Sequence, residues 1–272
     1  MFRDYEDCDG GIKKLYRLQR QNQHYDYVGR MIGKYCRFEH KGYFWDLFEK
    51  AGIWDVSDPD LGGGVPNTYH FWQTAEGIRN AGLPDWMQVV GLIHDMGKLL
   101  CAKPYACDED GTSTSTQWGV VGDTFITGME IPDSAVFPEY NHFNVDHQRG
   151  MMLDFYKKGG GLDAMRCSFG HDEYLYRLLK ANDVKLPDEA FAMIRYHSMY
   201  VWHQGGAYLD FENTKDRQMK SWVRLFNNYD LYTKVDDKAK LALLDKKIEK
   251  ELKPYYNSLI KKYFPNGMIL KW

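Results

Sequence analysis

Long apolar runs, basic clusters and paired cysteines are all missing from this sequence of 272 residues. No stretch approaches the roughly 18 consecutive apolar residues of a membrane span, and the charged N-terminus has no apolar core of a signal peptide. We therefore expect a soluble, cytoplasmic protein with no membrane partner. The net charge of -3 is small, and no run of Lys and Arg alternates with aromatic residues, which argues against a nucleic-acid partner.

Cysteine is scarce and has no pattern. The 5 cysteines are an odd number, and none stands in a CxxC motif. A chain of this length does not need disulfides to fold. We expect the thiols to be reduced and mostly structural: Cys8, Cys36, Cys101, Cys107 and Cys167.

Apolar residues recur at three- and four-residue spacing through most of the chain, which predicts helices. Examples are the segments 22–36, 85–100 and 217–234. Strand signals are few, and no repeat of fixed period is present. With 44% apolar and 15% aromatic residues, the chain can fill one core, so we predict an all-α fold with a single domain over residues 1–272.

Two stretches interrupt the helical pattern. Residues 58–65 and 102–116 are rich in turn formers and poor in apolar residues, so both are expected to be exposed surface loops. The β-branched run at 117–128, QWGVVGDTFITG, predicts either a short hairpin or an extended loop close to a site. Its Gly122 would let the backbone approach a ligand.

Six histidine and aspartate residues on the predicted helices could bind metal. Such a set can hold two ions, which suggests redox or hydrolytic chemistry. His94 and Asp95 are adjacent in GLIHDMGK, and adjacent helical positions point about 100° apart, so one helix could serve two metals or one carboxylate could bridge them. Ligation by nitrogen and oxygen suits iron or manganese and also accommodates zinc. The six residues are His70, His94, Asp95, His171, His197 and Asp230.

Local rules of helix structure offer plainer explanations for some of these residues. His70 follows Asn67 and Thr68, which are both good N-caps, so it could simply be a polar residue at a helix start. Asp85, followed three residues later by Gln88, predicts a capping box at the start of the helix that leads to the His-Asp pair.

Lys98 and the remaining candidates can also be explained without a metal. Lys98 lies three residues after Asp95 and could reach a metal or a substrate oxygen, but a lysine in a last helical turn often serves only solvation. His171 and His197 could be core histidines that bind backbone carbonyls. Burial of the charged Asp230 carboxylate on an apolar helix face costs several kcal/mol unless the carboxylate is paired or binds metal. The coincidence of six such residues favours a metal centre.

Four of the six match the ordered signature of the HD-domain superfamily, whose all-helical members coordinate divalent metals with that quartet: His70, His94, Asp95 and Asp230. A closer resemblance covers nearly the whole chain. The sequence resembles the myo-inositol oxygenase family through segments that keep the family's order and near-family spacing. They are SDPD (57–60), HFWQTAEGIR (70–79), GLIHDMGK (91–98), VVGDTF (120–125), GHDEYLY (170–176), AFAMIRYHSMYVWH (190–203) and WVRLFNNYDLYTK (222–234).

The resemblance implies an HD-domain-like bundle with a di-iron site, over which residues 1–55 would pack. Asp95 would bridge the ions and, with Lys98, act in catalysis. The first iron would be held by His70, His94 and Asp230. The second would be held by His171 and His197. Residues expected to bind inositol hydroxyls or to close the pocket are Arg3, Asp55, Lys98, Gly122, Asp123, His197 and Ser198.

The resemblance also implies the reaction. A mixed-valent Fe(II)/Fe(III) pair would bind myo-inositol, O2 would be the co-substrate, and the ring would open between C1 and C6 to give D-glucuronate. A metal that chelates two neighbouring oxygens can lower the pKa of a polyol hydroxyl by several units, as metals do for water. We expect a monomer whose partner is this small molecule.

Two other functions could use the same residues. An HD-type phosphohydrolase would activate water against a phosphate ester, but it would need cations, and only Lys98, Arg3 and Arg79 fall near these motifs. A catalytically silent polyol-binding protein should have lost at least one costly buried ligand. We therefore favour the oxygenase. The chain departs from the family pattern at LGGGVPN (61–67), which could loosen the pocket wall, and in the 102–116 insertion.

Overall fold

The computed structural model describes residues 8, 10–58, 65–150, 153–231, 237–266 and 268–272. The predicted all-α fold is confirmed. The α-helices in these ranges are α1 (Gly10–Asn22), α2 (Tyr25–Tyr35), α3 (Phe44–Ala51), α4 (Asn67–Asn80), α5 (Asp85–Ile93), α6 (Val145–Gln148), α7 (His171–Ala181), α8 (Asp188–Tyr196), α9 (Tyr200–His203), α10 (Thr214–Asp230), α11 (Lys238–Lys247) and α12 (Lys253–Tyr263).

Shorter elements connect these helices. Two strands, β1 (Lys41–Tyr43) and β2 (Ile269–Lys271), pair antiparallel, with Gly42 opposite Leu270. The 3-10 segments of the described residues lie at Met96–Cys101, Pro138–Phe143, Leu162–Ala164 and Leu209–Phe211, and a π-helical turn, Ile248–Leu252, joins α11 to α12. Within the described ranges, the helices are all too short or too polar to cross a membrane.

Aromatic side chains fill the core between α3 and α4. The rings of Trp45 and Trp72 stack with centroids 5.6 Å apart, and Phe48 meets Phe71 edge to face at 5.2 Å. All four side chains are buried. Burial of large rings is the main favourable contribution to folding here, and it fixes α4 against α3.

Helix α5 begins differently from the prediction. Pro84 is its N-cap and no side chain caps it, so the predicted capping box is wrong. The carboxylate of Asp85 instead accepts a hydrogen bond of 2.7 Å from the Tyr263 hydroxyl. The amide of Gln88 donates to the Leu83 carbonyl at 3.0 Å. A tertiary contact with α12 has therefore taken the carboxylate that local rules assign to capping.

The segment 117–128 is a series of turns and extended loop, and no hairpin forms there. One antiparallel bridge pairs Ile126 with Cys167. Of the two alternatives left open by the sequence, the extended loop is the one adopted. It runs close to the start of α7, because the His171 amide donates to the Val120 carbonyl at 2.8 Å.

Candidate metal centre and active site

The six candidate ligands meet in the interior, although His70 and Asp230 are 160 residues apart. All six are buried. Most of them sit at helix ends. His94 and His197 are the C-caps of α5 and α8, and Asp230 is the last residue of α10. His171 is the first residue of α7, and His70 lies in the first turn of α4. The C-terminal ends carry partial negative charge, so three converging C-termini favour a cation.

The first cluster joins α4, α5 and α10. The Asp230 Oδ1 atom lies 2.9 Å from His70 Nε2 and 3.2 Å from His94 Nε2. The two imidazole Nε2 atoms are themselves 3.2 Å apart. Asp95 Oδ2 completes the cluster at 3.6 Å from His94 Nε2. The separations are small enough for one ion to bind these atoms together.

The second cluster shares a carboxylate with the first. Asp95 Oδ1 lies 3.1 Å from His171 Nε2 and 3.7 Å from His197 Nε2. The two histidine Nε2 atoms are 3.1 Å apart. Asp95 thus presents Oδ2 to the first cluster and Oδ1 to the second, which is the arrangement of a bridging carboxylate.

Backbone carbonyls fix the tautomers of three of these histidines. In each ring the Nδ1 atom donates to a carbonyl, so a neutral ring has an unprotonated Nε2. Two unprotonated nitrogens 3.1 Å apart cannot hydrogen-bond to each other, whereas a cation between them would bind both lone pairs. The residues therefore fit a metal centre. The Nδ1 pairs are His94 with Gly91 O at 2.9 Å, His171 with Val120 O at 2.8 Å, and His197 with Ile194 O at 3.0 Å.

A buried lysine lies beside the shared carboxylate. Lys98 Nζ is 2.6 Å from Asp95 Oδ2 and 2.7 Å from Asp55 Oδ2. Burial alone would raise the pKa of Asp55, but the Lys98 charge and hydrogen bonds lower it to about 2. Burial likewise opposes ionisation of Asp95, yet Lys98 and the neighbouring histidines hold its pKa well below the usual value. All three groups are therefore ionised at neutral pH.

Asn67 is a site residue that the sequence reasoning missed. Its side chain does not cap α4, for which Pro66 is the N-cap. The amide instead donates to Asp95 Oδ2 at 3.1 Å, and the residue is fully buried. An asparagine near a helix start is normally explained by capping. Its hydrogen bond to Asp95 becomes evident only when α4 is packed against the segment that carries the His-Asp pair.

A cavity opens beside the two clusters. Five of the predicted substrate residues line it: Asp55, Lys98, Gly122, His197 and Ser198. Its wall also contains residues not singled out from the sequence: Tyr16, Ser57, Asp58 and Tyr200. Hydroxyl, carboxylate and ammonium groups thus face the candidate metal ligands across a small polar space, which suits a polar ligand with several hydroxyl groups.

One predicted substrate residue lies elsewhere in the described structure. Asp123 is outside the set of described residues that line the cavity. Its carboxylate pairs with the buried Arg20 guanidinium through two contacts of 3.0 Å and accepts from the Val136 amide at 3.2 Å. In this position Asp123 supports the loop that carries Gly122. Arg3 lies outside the described residues.

Gly97 permits a close approach between the 3-10 segment and α7. A Cβ atom at this position would lie 1.8 Å from the carbonyl oxygen of His171 and 2.5 Å from its carbonyl carbon. Backbone atoms cannot move aside as a flexible side chain can. The sequence predicted one continuous helix over 85–100, whereas α5 ends at Ile93 and a 3-10 segment begins at Met96.

We expect Gly97→Ala to displace the start of α7, which would lower the metal content of the second cluster and destabilise the protein by about 1–3 kcal/mol or more. Gly33→Ala in α2 is the matched control, because a Cβ there meets nothing within 4 Å. That substitution should be neutral or slightly stabilising. Chemical denaturation and metal analysis of both variants test this, and equal stability of the two would contradict it.

The fold and the site define an all-helical protein whose buried histidine and aspartate clusters could hold metal ions. The model of the family described as "Myo-inositol oxygenase" matches residues 9–272. The chain is similar to the inositol oxygenase of Danio rerio, at 37% identity over 280 residues (100% of this chain, 93% of the relative). It is 40% identical over 266 residues to that of Homo sapiens (94% and 85%) and 36% over 276 to that of Dictyostelium discoideum (98% and 89%). The chain belongs to the myo-inositol oxygenase family and is an oxygenase enzyme.

Proposed function

We propose that the protein is a di-iron oxygenase that uses O2 to cleave myo-inositol between C1 and C6, giving D-glucuronate. The observation that carries the proposal is Asp95, which presents one oxygen to each of two histidine clusters at the edge of a polar cavity. In the same proposal, the bundle belongs to the HD-domain superfamily and the protein is a cytoplasmic monomer. Bound iron would supply the Lewis acidity that ionises a polyol hydroxyl and the redox capacity to use O2.

The first ligand set would be His70, His94, Asp95 and Asp230, and the second would be Asp95, His171 and His197. Lys98 would stabilise the negative charge of an ionised substrate oxygen. Within the described residues, two of its three N–H groups are directed to Asp55 and Asp95, so one remains for a substrate oxygen. Its positive charge is held in place on both sides by carboxylates.

Asp55 and Ser198 would orient the substrate hydroxyls. The Asp55 carboxylate accepts from Ser57 and Lys98 and retains capacity for a hydroxyl donor. The Ser198 hydroxyl lies 3.4 Å from His171 Nε2, beside the second cluster. Fixed groups on both walls would hold a ring with several hydroxyls in one orientation, which raises the rate of a reaction at a chosen bond.

An HD-type phosphohydrolase is the alternative, and the charges of the cavity make it the weaker one. Among the described lining residues, Lys98 is the one lysine or arginine, and it lies between two carboxylates. A phosphate dianion would meet those carboxylates at close range. A neutral polyol would not be repelled.

One sample of protein from iron-supplemented cells tests the proposal. The iron content per chain is measured first, and O2 uptake is then followed on addition of myo-inositol under mild reductant. We expect about two irons per chain, O2 consumption that depends on inositol, and D-glucuronate as product. One metal per chain, or phosphate release from an ester without O2 uptake, would favour the hydrolase.

A further inference from the structure

The carboxylate that pairs with Lys98 stands on a segment without helix or strand. Helix α3 ends at Ala51, and residues 52–58 have no regular secondary structure. Asp55 nevertheless lies 2.7 Å from Lys98 Nζ, and the residue is buried. Holding an irregular backbone in one conformation costs about 1–2 kcal/mol per residue in entropy. Contacts from elsewhere in the chain must fix this segment.

Gln117 binds the backbone on both sides of Asp55. Its amide nitrogen donates to the Trp54 carbonyl at 2.9 Å, and its amide oxygen accepts from the Val56 N–H at 3.3 Å. The same nitrogen donates to the Thr114 carbonyl at 3.1 Å. Gln117 is 2% exposed, so these bonds are shielded from water. A side-chain amide is the group that can donate to one peptide unit and accept from the next.

The backbone of Gln117 supports the other wall of the site. Its φ of 48° turns the chain, and its carbonyl accepts from the Val120 and Val121 N–H groups at 2.9 and 3.0 Å. The Val120 carbonyl in turn accepts from His171 Nδ1 at 2.8 Å. One residue therefore stands between the segment that holds Asp55 and the turn that orients a candidate metal ligand.

The 102–116 loop, which the sequence analysis identified as an insertion, holds Gln117 in this position. Asp110 attaches the loop to α2, because its carboxylate accepts from the Tyr35 hydroxyl at 2.6 Å and its carbonyl from the Tyr27 hydroxyl at 2.8 Å. The Gly119 N–H donates to the Gly111 carbonyl at 3.0 Å, which closes the base of the loop. The loop thus has a firm attachment just before Gln117.

We propose that Gln117 is a positioning residue for the oxygenase: its side-chain amide holds Asp55 against Lys98, while its carbonyl shapes the turn that orients His171. The inference rests on the proposed function. Substitution of the side chain removes its contacts to the Asp55 segment and to the Thr114 carbonyl. Every residue retains the backbone carbonyl that shapes the turn. The two roles can therefore be separated by experiment.

The test uses the full-length, iron-loaded protein carrying Gln117→Ala. We expect faster hydrogen exchange in the segment 53–58, where the Val56 and Ser57 amides are hydrogen-bonded, with unchanged exchange in α5 and α8. Iron content should stay at the wild-type value. The kcat/KM for myo-inositol should fall by about 10- to 100-fold, since small displacements of positioned groups have effects of this size.

Two further variants sharpen the test. Gln117→Glu keeps the acceptor for Val56 but places a carboxylate oxygen against two carbonyl oxygens, so it should be no better than alanine. Thr114→Ala is the matched control, because only its carbonyl is used by Gln117 and its side chain is exposed. It should match the wild type in exchange, iron content and kcat/KM.

The inference is overturned if Gln117→Ala leaves exchange in 53–58 unchanged, if exchange rises throughout the core, or if Gln117→Glu behaves as wild type. Failure of the proposed function looks different. In that case the wild-type protein itself shows no inositol-dependent O2 uptake, while the exchange data still decide whether Gln117 holds the Asp55 segment.

Discussion

Replacing His171 with alanine is expected to lower the iron content from two ions toward one per chain and to abolish inositol-dependent O2 consumption. His171 Nε2 is 3.1 Å from Oδ1 of the shared Asp95 carboxylate and 3.1 Å from His197 Nε2. Alanine would leave the second cluster with one imidazole and a carboxylate it shares, which is too few ligands for tight binding. Elemental analysis and an O2 electrode, applied to the same sample, measure both effects. His197→Ala should behave in the same way.

The matched control is His142→Ala. His142 is exposed, and its ring Nδ1 contacts the Glu139 carbonyl. Iron content and O2 uptake should equal those of the wild type. Two irons in the His171→Ala protein would refute the assignment of this residue to the second cluster.

Lys98→Ala is expected to keep both irons but to lose turnover. The substitution removes the cation between two buried carboxylates, Asp55 and Asp95. Breaking a buried pair by removing one partner typically costs about 3–5 kcal/mol, so the free energy of unfolding should fall measurably in denaturant. Metal analysis, steady-state kinetics and urea denaturation on one preparation separate the loss of catalysis from the loss of metal.

Two further variants serve as controls for this result. Lys158→Ala breaks a pair with Asp210 whose side chains are 76% and 67% exposed, so it should change neither stability nor turnover. The double variant Lys98→Ala/Asp55→Asn should recover part of the lost stability, because one unpaired buried charge is gone, but none of the turnover. Near-wild-type kcat in Lys98→Ala would contradict a role for the ammonium in the reaction.

The helices could be predicted because they leave a periodic trace in the sequence, and the six candidate ligands because they are polar residues on those predicted helices. A buried aspartate such as Asp230 stands out against the apolar face of its helix. The partnership of Asp123 with Arg20 could not be predicted, since 103 residues separate the two and no local rule links them. Asn67 obeyed the capping rule in the sequence and yet binds Asp95 in the fold. The close approach of Gly97 to the His171 carbonyl likewise joins residues that are distant in sequence, and no local rule predicts it.

The ligands come from helices that are distant in sequence, and this has a consequence for how the fold holds together. An ion held by both His70 and Asp230 would close a loop of 160 residues, acting as a cross-link between α4 and α10. Metal uptake and folding would then be thermodynamically linked, so the thermal midpoint should rise with free metal concentration. A chelator would act on this chain as a mild denaturant.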